Sequence, residues 1–211
     1  MADYKLIEGL FIYPTPTGAY YAVASKENDK TRQFLRALFR RKHTPVLSIG
    51  QLMALMALDE PQKGLELLHH CQKLGFIQGL EQAIDAPTGA LEQILPDLLA
   101  PLSENGKVLL ADNQGFYLAS HGFAHEVAEE LSALGAEIAT IHERRAGLLM
   151  NNLGLSSSAW AVVDAKGHSK IGFWPLYIGN TRFVLVISGI PHFNQPEMVS
   201  LCWSLSSRYA G

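Results

Sequence analysis

Val108-Leu109-Leu110-Ala111-Asp112-Asn113-Gln114-Gly115-Phe116-Tyr117-Leu118-Ala119-Ser120 is the stretch from which the rest of the chain can be read. The apolar run 107–112 reads as a strand. Asn113-Gln114-Gly115 supplies tight-turn chemistry, and 116–120 reads as a second strand, so the segment predicts a hairpin. Upstream, residues 91–102 place Leu91, Ile94, Leu95, Leu98 and Leu102 at helical spacing. Pro96 marks a kink or a late start there. Downstream, the pattern predicts a long helix over 124–152 and a third strand over 160–164. A turn at Ala165-Lys166-Gly167 leads into a fourth strand over 169–176. Gly179-Asn180 turns the chain into a fifth strand over 182–188, and a helix over 196–207 closes it. The order is α-β-β-α-β-β-β-α.

That order resembles the Roadblock / dynein light chain family. The carrying residues are those of 108–120: a hydrophobic strand, an Asp/Asn-x-Gly turn (Asn113 to Gly115) and a strand ending in Ala119-Ser120. The long helix, the three-strand meander and the final helix follow at the family's spacing, and the resemblance covers the second half of the chain. Relatives in that family include subunits of dynein, scaffolds that hold small Ras-like GTPases on membranes, and a bacterial gliding-motility protein that stimulates a Ras-like GTPase. The resemblance therefore implies a dimer or pseudo-dimer with a continuous sheet, and a GTPase regulator or scaffold. It implies no GTPase in this chain itself. A P-loop needs G-x-x-x-x-G-K-[ST] to cradle phosphates, and Gly106-Lys107 is followed by Val108 and lacks the leading glycine.

In the first half, the apolar and aromatic residues 5–13 and 19–24 flank Pro14-Thr15-Pro16-Thr17-Gly18, which predicts a β-hairpin with a longer loop. Residues 29–41 carry Phe34, Leu35, Leu38 and Phe39 on one helical face. Ser48 and Gln51 match a capping box for the next helix. Asp59 is expected to cap a third, with Pro61 in its first turn, Leu65, Leu68 and Cys71 facing one way, and Gly75 as its terminator. Helix, short strand, helix, turn, helix and strand pair is the order of a winged helix-turn-helix, which the segment 48–77 resembles. Asp85-Ala86-Pro87-Thr88-Gly89 has turn chemistry without apolar periodicity and reads as the boundary. The expectation is an α+β chain. Residues 1–86 form a winged-helix-like domain with an N-terminal β-hairpin. Residues 87–211 form a Roadblock-like domain with a five-stranded antiparallel-type sheet.

Hydrophobic residues make up 48 % of the 211 and charged residues 18 %, enough to bury a core. A net charge of −3 predicts no bulk attraction to nucleic acid or anionic lipid. No basic segment followed by an apolar run opens the chain and no stretch approaches a membrane span, so a cytoplasmic protein without membrane insertion is expected. Cys71 and Cys202 lie far apart and are expected as buried free thiols.

No constellation for catalysis stands out, and no cofactor or metal is expected. Gly154-Leu155-Ser156-Ser157-Ser158 fails the serine-hydrolase elbow at its last position. His69, His70 and Cys71 are helix neighbours that point apart. His121 and His125, four apart, would need a third ligand from elsewhere to hold a metal. His142 and His192 stand alone. DNA binding by the winged-helix-like half, with the second half as dimeriser, is the alternative function. Against it, residues 60–74 set Lys63 and Lys73 against Glu60 and Glu66, and the richer basic run, Arg36, Arg40, Arg41, Lys42 and His43, also complements a helix dipole.

The candidate dimer or partner interface lies on the long helix. Val127, Leu131, Leu134, Ile138, Ile141 and Leu148 recur at near-heptad spacing. Such a stripe either packs on its own sheet or also meets a second copy. Arg144 and Arg145 adjoin it, as helix-surface charge or as an arginine finger offered to a GTPase. An open sheet also leaves edge strands with unpaired backbone, which pairing with an identical subunit relieves, so a homodimer is expected. Trp160, Phe173, Trp174 and Trp203 read as core or interface without division between them.

Overall fold

The computed structural model describes residues 4–210. Its first strand, β1 (Phe11–Pro14), runs directly into a helix, α1 (Pro16–Val23). The expected second strand of an N-terminal hairpin is therefore helical. The physical reason is the cap. The Thr15 hydroxyl accepts from the Gly18 N–H at 3.1 Å, and Pro16 opens the first turn with its φ already set. Ala19, Ala22 and Val23 then form the buried face. Gly18 is required here, since a Cβ would lie 2.0 Å from the Phe76 carbonyl oxygen.

Three helices follow: α2 (Lys30–Leu38), α3 (Ile49–Met56) and α4 (Pro61–Lys73). Asp29 caps α2 by accepting from the Arg32 N–H at 3.0 Å. Ser48 accepts from the Gln51 N–H at 3.3 Å, the hydroxyl half of the expected capping box. Asp59 does not cap α4. Glu60 holds that position and makes no side-chain cap bond, and the missing N–H of Pro61 lowers the need for one. Gly75, at φ +68°, ends α4 in a Schellman motif: Phe76 N–H donates to Cys71 O and Gly75 N–H to Gln72 O, both at 2.9 Å.

The strand after α4, β2 (Ile77–Leu80), pairs antiparallel with β1. Phe11 also bridges to Val46, so β1 lies between β2 and the segment linking α2 to α3. The helix order read from the sequence stands, but the partner of β2 comes from in front of the helices rather than behind them. Residues 84–86, at the expected boundary, are pinned by Thr44 N–H to Ile84 O and by Ala86 N–H to Lys42 O.

In the second half, α5 (Leu91–Leu99) runs through Pro96 and tightens into a 3-10 turn at Ala100–Leu102. Then come β3 (Val108–Ala111), β4 (Tyr117–His121), α6 (His125–Gly147) with a π turn at Leu148–Asn152, β5 (Trp160–Val163), β6 (Ser169–Ile178), β7 (Thr181–Ser188) and α7 (Pro196–Tyr209). The sheet is five-stranded and antiparallel throughout, in the order β4-β3-β7-β6-β5. Asp112 builds the first hairpin: its Oδ1 accepts from the N–H groups of Gln114 and Phe116, and Gly115 takes φ +92°. Asp164 repeats the device between β5 and β6 with the N–H groups of Lys166 and His168.

Strand alternation sorts the core. Leu109, Ala111, Phe173, Val184 and Val186 face α6. Val108, Leu110, Trp174, Leu185 and Ile187 join the larger cluster that also takes in α5 and α7. That cluster continues into the first half through Ala19, Phe34 and Leu52, so α7 serves both halves. Trp203 Nε1–H, on α7, donates to Arg41 O at 2.8 Å. No described helix is long and apolar enough to cross a membrane.

Candidate functional site

Helix α6 meets the sheet with small residues. Its buried positions are Ala128, Ser132, Gly135, Ala136, Ala139 and His142. At Gly135 a Cβ would stand 3.2 Å from Val184 Cγ1 and 3.4 Å from Phe173, so the close seating of the helix depends on this glycine. The larger apolar residues of the expected stripe divide between two environments. Leu131 and Ile138 pack against the sheet cluster. Val127, Leu134, Ile141 and Leu148, each seven residues from the next, are 43, 44, 52 and 51 % exposed. They form an outward apolar line that the chain's own sheet does not cover. Arg144 and Arg145 are exposed at its C-terminal end and form no ion pair among the described residues.

Further exposed apolar residues, which the sequence reading did not assign to an interface, follow α6 in the chain. Met150, Leu153 and Leu155 are exposed after α6, and Val162 and Val163 are exposed on β5. Strand β5 is an edge strand whose four residues are all exposed. The unbroken apolar run Trp160–Val163 reads by pattern as a strand covered on both faces, as the similar run of β3 is, yet the chain itself covers neither face of β5. Trp160 ties the strand to the helix, its Nε1–H donating to buried His142 Nδ1 at 3.1 Å. The four aromatics thereby divide: Trp160 is exposed, while Phe173, Trp174 and Trp203 are buried.

On its other side α6 is held by ion pairs. Glu143 contacts Lys26 at 2.7 Å and Arg182 at 2.9 Å. Burial pushes the Glu143 carboxyl up, but the hydrogen bond from Lys26 and the charge of Arg182 outweigh it and hold the group below the ordinary value.

The other candidates lie apart from this surface. His121 Nδ1 bonds Gly106 O at 2.6 Å, while His125 Nδ1 shares a 2.7 Å hydrogen bond with the Tyr117 hydroxyl, so the two do not converge. Among the described residues no group of three His, Cys, Asp or Glu is placed to hold a metal. Cys71 and Cys202 are free and buried, and burial, with the Asp29 charge second, pushes the Cys71 thiol up to about 12. Residues 154–158 form an exposed approach to β5 in which Ser158 Oγ donates to Ala24 O at 3.3 Å. Lys63 on α4 pairs with Glu60 at 2.8 Å. Arg36 turns inward to donate to the carbonyls of Ala22 and Ser25 at 2.8 and 2.6 Å, leaving it poorly placed for a DNA backbone.

No family model matches the chain, and no curated protein matches its sequence. Solved structures do. A Roadblock/LC7 domain from Streptomyces avermitilis superposes with a TM-score of 0.37 at 13 % identity, over 57 % of this chain and 93 % of that one. MglB of Myxococcus xanthus gives 0.32 at 18 % identity, over 58 % and 88 %. The gliding protein MglB from Thermus thermophilus gives 0.31 at 19 % identity, over 59 % and 91 %. The structural neighbours of this chain are thus Roadblock/LC7 and MglB proteins, matched over about 58 % of its length.

Proposed function

We propose that this chain is a non-enzymatic regulator or scaffold of a small Ras-like GTPase, acting through a dimerisation platform made of α6 and β5. The observation that carries the reading is the outward apolar line Val127, Leu134, Ile141 and Leu148 on α6, together with an uncovered edge strand, β5, tied to the same helix by the Trp160–His142 hydrogen bond. Exposed apolar surface of this extent on a folded chain marks an interaction site. Covering the remaining exposed half of each of these side chains is worth about 1 kcal/mol apiece. A second copy supplies both needs at once: β5 pairs with its two-fold mate, and α6 lies along its mate. Arg144 and Arg145 then sit at the rim of the paired helices, where they face a further partner. The class of that partner follows from the Roadblock resemblance of 87–211.

Light scattering coupled to size exclusion on the full chain tests the platform. The expected result is a dimer that Leu134→Glu with Ile141→Glu converts to a folded monomer. A pull-down with a small Ras-like GTPase encoded in the same genome, loaded with GDP or a GTP analogue, tests the partner. Capture by the wild type and loss in Arg144→Glu with Arg145→Glu is expected. A monomeric wild type sinks the platform, and failure to capture in either nucleotide state sinks the GTPase.

A further inference from the structure

A cleft of about 730 Å³ lies where the loop after α1, the end of α2, the middle of α6 and the β6–β7 turn converge. Four cations line it, Lys26, Arg36, Arg40 and Arg182, against one carboxylate, Glu143. Four minus one leaves three positive charges in excess, on a chain whose net charge is −3. So concentrated an imbalance raises the local concentration of anions.

The donors differ in kind. Arg182 is built in: its side chain is 10 % exposed, Nη2 donates to Thr140 Oγ1 at 3.2 Å, and Nη1 pairs with Glu143. Its Nε–H is buried with no acceptor. Arg36 is half-buried and anchored on backbone carbonyls. Burial, then the neighbouring charges of Arg32 and Arg40, pull its pKa down, with Asp29 offsetting part. Arg40 is exposed, and its guanidinium has no hydrogen bond or ion pair among the described residues. A fixed guanidinium, a crowded one and a free one around one space form a receptor for an anion with several oxygens and more than one charge.

We propose that this cleft binds a small phosphorylated anion, with Arg40 as its principal donor and the fixed charge of Arg182 behind it. The volume lies within the range of small-molecule sites and exceeds what a lone ion fills. Tyr177, the aromatic residue in the lining, is covered by the Lys26 ammonium at 5.4 Å. The phosphate chain rather than a stacked base therefore carries the affinity. The ligand bridges residues 26–40 to the sheet and α6, linking the two halves of the chain. The proposal is independent of the platform reading, since a monomer retains the whole cleft.

Isothermal titration of the full chain with pyrophosphate and with ATP tests it. Saturable 1:1 binding of both, weakened at least 10-fold in Arg40→Glu and several-fold in Arg40→Gln, is expected. Lys73→Glu, at the exposed end of α4, makes the same charge change outside the cleft and should bind as the wild type does. Binding of ATP alone would show a nucleotide site of another design and overturn the proposal. Absence of saturable heat into the millimolar range overturns it, as does equal weakening by Arg40→Glu and Lys73→Glu. Circular dichroism on each variant separates loss of binding from loss of fold.

Discussion

The two edges of the sheet are built differently. Strand β4 has both faces engaged: Leu118 packs into the larger cluster and Tyr117 against the cluster under α6. It ends in polar Ser120 and His121, and His121 is tied back to Gly106. Strand β5 has the same kind of register irregularity, between Val162 and Val163, yet none of its residues joins either cluster. Proteins commonly blunt an edge with charge, brevity or cover. β4 is blunted, whereas β5 is apolar and uncovered, as is the outward line of α6. This asymmetry is why the proposed dimerisation platform uses β5 rather than β4.

The sharpest way to break this comparison is to place one charge on each edge. Val162→Lys would bury an unpaired ammonium in the proposed dimer, and His121→Lys would leave it in solvent. Analytical ultracentrifugation should show the dimer dissociation constant of Val162→Lys rising about 100-fold, on the order of 3 kcal/mol, with His121→Lys unchanged. Equal effects at both edges would remove the distinction, and no effect at β5 would remove the interface.

The two sides of α6 offer the next test. Gly135→Val drives a branched side chain into Val184 and Phe173. It should cost about 1–3 kcal/mol in urea unfolding. Leu134→Ala, one residue along, should fall within about 0.5 kcal/mol when measured dilute enough to keep the chain monomeric. The contrast bears on what the sequence could tell. The heptad of large residues was legible, but Ala128, Gly135 and His142 repeat every seven residues as well. Period alone does not say which line meets the sheet, and here tight packing chose the small one. The hairpin 108–120 was legible because Asn113-Gln114-Gly115 carries turn chemistry locally, to which the structure adds the Asp112 carboxylate. The segment of α1 reads as a strand because Tyr20, Tyr21 and Val23 favour strands, and the Thr15-Pro16 start outweighs them. The cationic cleft was not legible at all, since Arg36 and Arg182 meet only through the packing of α1 on α7 and of α6 on the sheet.

The smallest expected effect concerns acid. Glu143 anchors the inner side of α6, and Asp164 anchors the hairpin that carries β5. The ordinary values are 4.5 and 3.8, and both groups are depressed in the folded chain. For Asp164 the first cause is the hydrogen bond from Lys170, followed by that from the His168 N–H. A depressed folded pKa means that the folded state binds the proton less readily than the unfolded chain does. The stabilisation is therefore fully present above the ordinary value and is lost as pH falls through the folded one. Unfolding free energy should decline from about pH 5 downward, and Glu143→Gln should flatten the upper part of that decline. In Asp164→Asn the flattening should begin lower, following its lower ordinary value. Because Glu143 sits on the helix and Asp164 at the uncovered edge, only Asp164→Asn should also loosen hydrogen-exchange protection of β5. Protection lost equally in both variants would mean that β5 is held by the body of the chain rather than by its own hairpin.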